Sequence, residues 1–349
     1  MDRGSLLQSV AFGAKSISFQ FGLIELGCTL RERGKTMKKI LLATTAVVLT
    51  AGVAAAEVKL SGDARFGIQY NESGFAGGEK TALEKRFRVN LDGVMTSDAG
   101  VTFGGRARVT SDENVPGATG TVVSGARVYA QYEGLTVQVG NILGAIDNAS
   151  NMANWALTYS LTGLGFEDAL KDSSGFDGFT SAGNGAEGAE VMYKAGDLSF
   201  HLSHSSADLT KQADAAAERT AAAIAWNYNG WTLTALAQGS NVEGEDFYGF
   251  TAGGRVADFG LNAALFNVEG EGADTGLFYR FGGDYAFGAT SVGAFVSKYE
   301  NNNEFAYGIG ARYNLGGGAA VVGGIANAVT GAAEGATETR ADLGVTFSF

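Results

Sequence analysis

Residues 57–70 read EVKLSGDARFGIQY, and their alternation decides the fold. Val58, Leu60, Ala64, Phe66, Ile68 and Tyr70 share one face, while Lys59, Ser61, Asp63, Arg65 and Gln69 share the other. Period two over a dozen residues is a β-strand with one apolar and one polar face. The pattern returns at 83–95, where Phe87, Val89 and Leu91 oppose Arg86, Arg88, Asn90 and Asp92. It returns at 99–110, with Val101, Phe103, Ala107 and Val109 against Thr102, Arg106 and Arg108. At 121–133, Ala126, Val128, Ala130 and Tyr132 oppose Arg127, Tyr129 and Gln131. The closing ADLGVTFSF sets Leu343, Val345, Phe347 and Phe349 against Asp342, Thr346 and Ser348.

The connections alternate as well. Short turns fall at 96–100, 133–134, 195–197, 229–230, 257–260, 286–290 and 314–318. Longer polar loops fall near 71–82, 110–120, 141–187, 205–218, 241–246, 268–274, 299–304 and 328–338. Seven turns and eight loops join sixteen strands. The only proline, Pro116, lies in a loop, as expected where the ladder needs every N–H. A short helix is expected only within Asn148–Leu161, and no domain boundary interrupts 57–349.

These strands are about 9–13 residues long, which suits a tilted bilayer crossing better than a soluble sandwich with strands of about 5–6 residues. A sheet in lipid leaves no polar edge unpaired only if it closes on itself. Closure turns the apolar face outward and leaves a polar lumen, with short turns at one rim and long loops at the other. The expected fold is all-β, a sixteen-stranded antiparallel transmembrane β-barrel. Composition agrees. Only 18% of the 349 residues are charged, against about a quarter in soluble chains, while 53 are glycine and 37 aromatic. A net charge of −12 argues against nucleic acid as a partner, and one cysteine makes no internal disulfide. A β-solenoid would carry a fixed-length repeat, and none is present.

The one long apolar run, MKKILLATTAVVLTAGVAAA at 37–56, has a basic start, an apolar centre at Ile40–Val53 and an A-x-A exit. It reads as a signal peptide, too short for a spanning helix. Residues 1–36 then form an upstream extension ahead of the true start at Met37. Residues 57–349 hold 18 Lys/Arg and 34 Asp/Glu, a net charge of −16, and no cysteine.

EVKLSGDAR at Glu57–Arg65, YNLGGGAAVVGGIA at Tyr313–Ala326 and ADLGVTFSF at Ala341–Phe349 resemble the general-diffusion porins of alphaproteobacterial outer membranes. The terminal Phe349 is similar to the barrel-assembly signal of that family. The resemblance implies a homotrimer in outer-membrane lipid, short turns facing the periplasm and a long third loop folded into the lumen. It implies passive diffusion of small hydrophilic solutes and ions, with no catalysis. Some relatives bind calcium through acidic loop residues; no ligand set in this chain matches one, so no cofactor is assigned.

A barrel of sixteen strands is too wide for side chains to fill, so function rests on what narrows it. The loop at 141–187 is far longer than ordinary connections. It carries Asp147, Glu167, Asp168, Asp172 and Asp177. Facing it is an inward basic set, Arg65, Arg86, Arg88, Arg106, Arg108 and Arg127. Counted from the short-turn rim, Arg65, Arg88, Arg106 and Arg127 stand at similar heights. The expectation is a basic wall opposed by an acidic loop. The alternative is that the arginines merely line solvent or pair with Asp63, Glu84 and Asp92. His201 and His204 are three apart on a strand and point to opposite faces, which excludes a shared metal. A barrel enzyme would need His201, and no nucleophile elbow accompanies it. A substrate-selective channel would show a run of inward aromatics; the pattern offers only Tyr129. Trp155, Trp226 and Trp231 read as loop packing or interface-belt residues.

Overall fold

A computed structural model of the chain describes residues 56–75, 77–112, 120–152, 159–164, 175–206, 217–269, 276–329 and 337–349. The extension at 1–36 and nearly all of the 37–56 signal segment lie outside these residues. In order, the strands are β1 (Glu57–Asn71), β2 (Thr81–Thr96), β3 (Thr102–Asp112), β4 (Thr121–Val123), β5 (Arg127–Tyr132) and β6 (Leu135–Asn141). Next come β7 (Glu187–Ala195), β8 (Leu198–Ser205), β9 (Arg219–Tyr228), β10 (Trp231–Ser240), β11 (Phe247–Val256) and β12 (Phe259–Val268). The chain ends with β13 (Gly276–Phe287), β14 (Thr290–Tyr299), β15 (Ala306–Gly316), β16 (Ala319–Val329) and β17 (Thr337–Ser348).

β4 and β5 both pair with β3, so they are two pieces of one stave interrupted at 124–126. Seventeen strands therefore make sixteen staves, as the turn count requires. Each stave is antiparallel to its sequence neighbours, and β17 returns to pair with β1 from Asp63↔Ser348 to Asn71↔Arg340. The sheet closes, and a transmembrane barrel results. The short links lie at one rim. Glu133–Gly134 and Asn229–Gly230 both have positive φ at each residue (44° and 85°, 49° and 80°), the conformation of a type I′ hairpin turn.

The apolar face points out. Leu83 is 76% exposed and Val58 71% exposed, which only a lipid environment would tolerate across a whole molecular surface. Near the short-turn rim this face carries Trp226, Tyr228, Phe259, Tyr285 and Phe287, with ring centroids 4.6–5.7 Å apart between neighbours. Such a girdle marks a membrane interface. Phe349 lies on the same outer face, its ring 5.5 Å from that of Phe87 and 6.4 Å from that of Phe347.

The inner face departs from expectation. The lumen is not uniformly polar: Ala221, Ala223, Leu236, Phe247, Ala264, Phe266, Val268 and Phe278 point inward and are buried. They include a run of inward aromatics, Phe247–Phe266–Phe278–Tyr299, with centroids 6.4, 6.0 and 4.7 Å apart. The loop between β6 and β7 covers them with Ala145, Ile146 and Met152, so they pack rather than line the channel. Of the span expected to hold a short helix, Asn148–Leu161, residues 153–158 lie outside the described residues, and Tyr159 just after them is in a 3₁₀ turn. Before them the backbone makes single turns, with Asn148 N donating to Gly144 O (3.2 Å) and Met152 N to Ala149 O (3.3 Å).

The far reach of this loop fits a gap left by glycine. Gly67 and Gly344 face each other across the β1–β17 closure, and both point inward. A Cβ on Gly344 would meet Phe66 O of the facing strand and stand 2.7 Å from Leu161 Cδ2 and 2.9 Å from Gly67 Cα. The missing side chains are the seat of Leu161, which packs with Ala320 and Val322. Gly344→Val should therefore overpack this seat at a cost of about 1–3 kcal/mol. The expected result is a lower temperature at which the folded barrel is lost on semi-native electrophoresis; an unchanged transition would mean that the seat is not tight.

Candidate functional site

The site is the strait between the β6–β7 connection, described at residues 142–152, 159–164 and 175–186, and the inner wall those residues leave uncovered. At its root the backbone N–H groups of Leu143 and Gly144 donate to the Glu190 carboxylate on β7, each at 3.0 Å. Gln138 and His201 (Nε2, 2.9 Å) bind the same carboxylate. Ala145 N donates to Ser203 Oγ at 2.9 Å. Further along, Thr251 Oγ1 donates to Ser150 O at 2.6 Å, and the buried Arg280 guanidinium to Asn151 O (2.8 Å) and Met152 O (2.9 Å). Residues 160–164 reach the other side. There Asp342 accepts from Leu161 N (2.9 Å), Thr162 N (2.8 Å) and Thr162 Oγ1 (2.7 Å), and Arg340 Nη1 donates to Leu164 O at 3.2 Å.

Burying side chains such as Ile146 and Met152 contributes about 1.5–3 kcal/mol each. A hydrogen bond to a charged group contributes a similar net amount. The loop is thus held by apolar packing at β9–β14 and by polar anchors at both ends. The return limb, residues 175–186, crosses back. Asp177 pairs with Arg219 at 3.2 Å, and Arg219 also binds Glu245 at 2.6 Å. Burial raises the Glu245 carboxyl, but the bonds from Arg219 and Ser240 outweigh it and leave that group below its ordinary range. The limb then meets the arginine wall. Ser181 Oγ accepts from Arg108 Nη1 (3.1 Å), and Gly183 O from Gly125 N (2.5 Å).

The six arginines stand together on β1, β2, β3 and β5. Arg65 lies directly across from Arg86, and Arg106 directly across from Arg127. Like charges in direct register repel. Carboxylates on the same staves interrupt the repulsion. Arg65 binds Glu84 (2.6 Å), Arg86 and Arg88 share Asp63 (3.3 and 2.9 Å), and Arg106 binds Asp92 (2.6 Å). Arg88 makes three bonds to its carboxylate and Arg106 two. Arg108 donates to Asn90 Oδ1 at 2.9 Å. The pairing with Asp63, Glu84 and Asp92, weighed from sequence as an alternative, is therefore present.

Of the acidic loop set, Glu167, Asp168 and Asp172 lie outside the described residues. Asp177 is buried against Arg219, away from the arginine wall. Asp147 is exposed beside Gly178. The anchors Glu190, Arg280 and Asp342 were not singled out from sequence as site residues. Their signal is charge at inward positions of strands far from the arginines. His201 faces inward and His204 outward, where His204 Nδ1 lies 2.9 Å from Thr220 Oγ1. Trp155 lies outside the described residues.

A closed barrel with a narrowed aqueous lumen and an apolar outer belt is a membrane channel by construction. The sequence pattern of Gram-negative porins matches residues 43–332. The chain belongs to the Gram-negative porin family. The porin of Fuscovulum blasticum is 31% identical over 305 residues, covering 84% of this chain and 100% of that protein. The Rhodobacter capsulatus porin is 29% identical over 334 residues with the same coverage. A triple mutant of Rhodopseudomonas blastica porin superposes with a TM-score of 0.70 at 29% identity, over 84% of this chain and 100% of that one. This porin is an outer-membrane diffusion channel for small solutes and not an enzyme.

Asp342 tests how the strait is held. Asp342→Ala leaves the N–H groups of Leu161 and Thr162 without their acceptor, at about 1–3 kcal/mol each before lumen water relieves part of it. Single-channel recordings should then show greater open-state current noise. Noise indistinguishable from the parent channel would mean that the anchor is dispensable.

Proposed function

We propose that the arginine set Arg65, Arg86, Arg88, Arg106, Arg108 and Arg127 is the basic wall of the pore constriction, opposed by the loop that carries Asp147, Glu167, Asp168, Asp172 and Asp177. The observation that carries this reading is the direct register of Arg65 with Arg86 and of Arg106 with Arg127 on neighbouring staves. Six guanidiniums share this wall with the carboxylates Asp63, Glu84, Asp92 and Asp112, so positive charge is in excess there. Screening at 0.1 M salt acts over about 10 Å. Across a strait of that order the wall's field acts on every permeating solute. It orients dipolar solutes and sorts ions by charge as well as by size.

Arginine stays charged at any working pH, whereas carboxylates protonate on acidification. Permeation should thus move toward anions as pH falls, from a weak cation preference that follows from the net charge of −16 over 57–349. Replacing Arg86, Arg88 and Arg106 together with glutamine should strengthen cation preference and enlarge conductance. Planar-bilayer recordings in a salt gradient read both. Unchanged conductance and unchanged reversal potential in the triple variant would reduce these arginines to ordinary wall residues.

The working form is a homotrimer exported by a cleaved signal peptide at 37–56, with residues 1–36 not retained. The A-x-A exit at Ala56 and the immediate start of β1 at Glu57 support the cleavage. The outer face around Ala64, Phe66, Phe347 and Phe349, where β1 meets β17, supplies apolar surface for neighbours. Native mass spectrometry of outer-membrane material should give three copies of a chain beginning at Glu57. A monomer that still conducts, or a chain retaining residues 1–36, would refute the corresponding half.

A further inference from the structure

The return limb of the constriction loop touches the arginine wall through one aromatic ring. Phe179 lies with its centroid 4.7 Å from Arg108 Cζ and 4.9 Å from Arg127 Cζ. Both distances are inside the range in which a guanidinium is attracted to an aromatic face. The two arginines differ in what else holds them. Arg108 also donates to Asn90 Oδ1 (2.9 Å) and Ser181 Oγ (3.1 Å). Arg127 has buried Nε and Nη1 atoms with no hydrogen-bond partner. Its head group is held in place by the ring rather than by bonds from those two donors.

We propose that Phe179 is a positioning residue for ion selectivity, holding Arg127 as an uncancelled charge facing the strait beside Arg108, which has hydrogen bonds of its own. This rests on the reading of the arginines as the constriction wall. The physical argument is a competition for Arg127. Asp92 and Glu190 are the carboxylates that act on it electrostatically, and pairing with either would cancel its charge. Asp92 is already engaged by Arg106, and Glu190 by the loop root and His201. An aromatic face attracts a guanidinium while adding no negative charge, so Arg127 stays both ordered and cationic. A carboxylate at position 179 would order it equally well and remove its effect. The same ring ties the loop's return limb to the wall, so loop position and wall charge are set by a single side chain.

The test is reversal potential in a salt gradient for Phe179→Leu, Phe179→Trp, Arg127→Gln and the double variant Phe179→Leu/Arg127→Gln. Leucine keeps the apolar bulk and removes the ring's attraction for cations; tryptophan keeps that attraction. Phe179→Leu should lower the anion-to-cation permeability ratio by about twofold, the scale of a single partly exposed cation–π contact. Phe179→Trp should restore the ratio, and the double variant should behave as Arg127→Gln alone. If Arg127→Gln shifts the ratio but Phe179→Leu does not, the positioning role is wrong and the basic wall stands. If Arg127→Gln itself leaves the ratio unchanged, the charged-wall reading fails for this rung. A Phe179→Leu effect that adds in full to that of Arg127→Gln would assign the ring to loop packing instead.

Discussion

A peptide group inside lipid has no water to bond, and that single constraint organises the molecule. Each unpaired N–H or C=O would cost several kcal/mol in hydrocarbon. An open sheet has two edges of such groups, so β17 must find β1. The register from Asp63↔Ser348 to Asn71↔Arg340 closes the ladder. Once it is closed, the outward positions have no choice but to be apolar, and the inward ones are released from that demand. The alternation in EVKLSGDARFGIQY is the trace of this division. Sixteen staves then follow from seven turns and eight loops, because every crossing must be followed by a return.

Closure at sixteen staves creates a second problem, since the interior is wider than side chains can fill. The β6–β7 connection solves it by lying against the inside of the wall. For that it needs a surface to pack on, which is why the lumen of β9–β14 carries Phe247, Phe266, Phe278 and small alanines rather than polar groups. It also needs backbone partners, because its turns leave N–H and C=O groups unpaired. Glu190, Arg280 and Asp342 supply them from three separate staves. Buried charges are tolerated here because each meets several donors or acceptors at once.

The outer face and the strand count were legible in the sequence because lipid imposes one rule at every outward position. The arginines were legible for a related reason: charge at an inward position of an apolar-polar strand stands out. Their partners were harder to rank, since Asp63, Glu84 and Asp92 and the acidic loop were equally available by composition. Only register separates them, and it puts Asp63 across from Arg88 and Asp92 across from Arg106. The inward aromatic run was missed because Phe266 in NAALFNV and Phe278 in GLFYRFGG sit among outward apolar neighbours. Where both faces are apolar, alternation carries no signal. The seat for Leu161 was also unreadable, because a pair of glycines 277 residues apart in sequence becomes a cavity only after closure.

The inner wall is thus divided by function. In the half from β7 through β14, Glu190 and Arg280 meet loop backbone and Arg219 meets the loop carboxylate Asp177. The half from β1 through β5 is left facing water with six guanidiniums and fewer carboxylates. Such a wall is costly to assemble, because Arg65 and Arg86 stand in direct register. It persists because Glu84, Asp63 and Asp92 cancel enough of the repulsion for the staves to pair. Full cancellation would stabilise the barrel further and remove the field from the strait. On that proposal the wall stops short of neutrality, with Arg108 and Arg127 set against an aromatic ring. On the proposed reading, selectivity in this porin is the charge that folding has tolerated without neutralising.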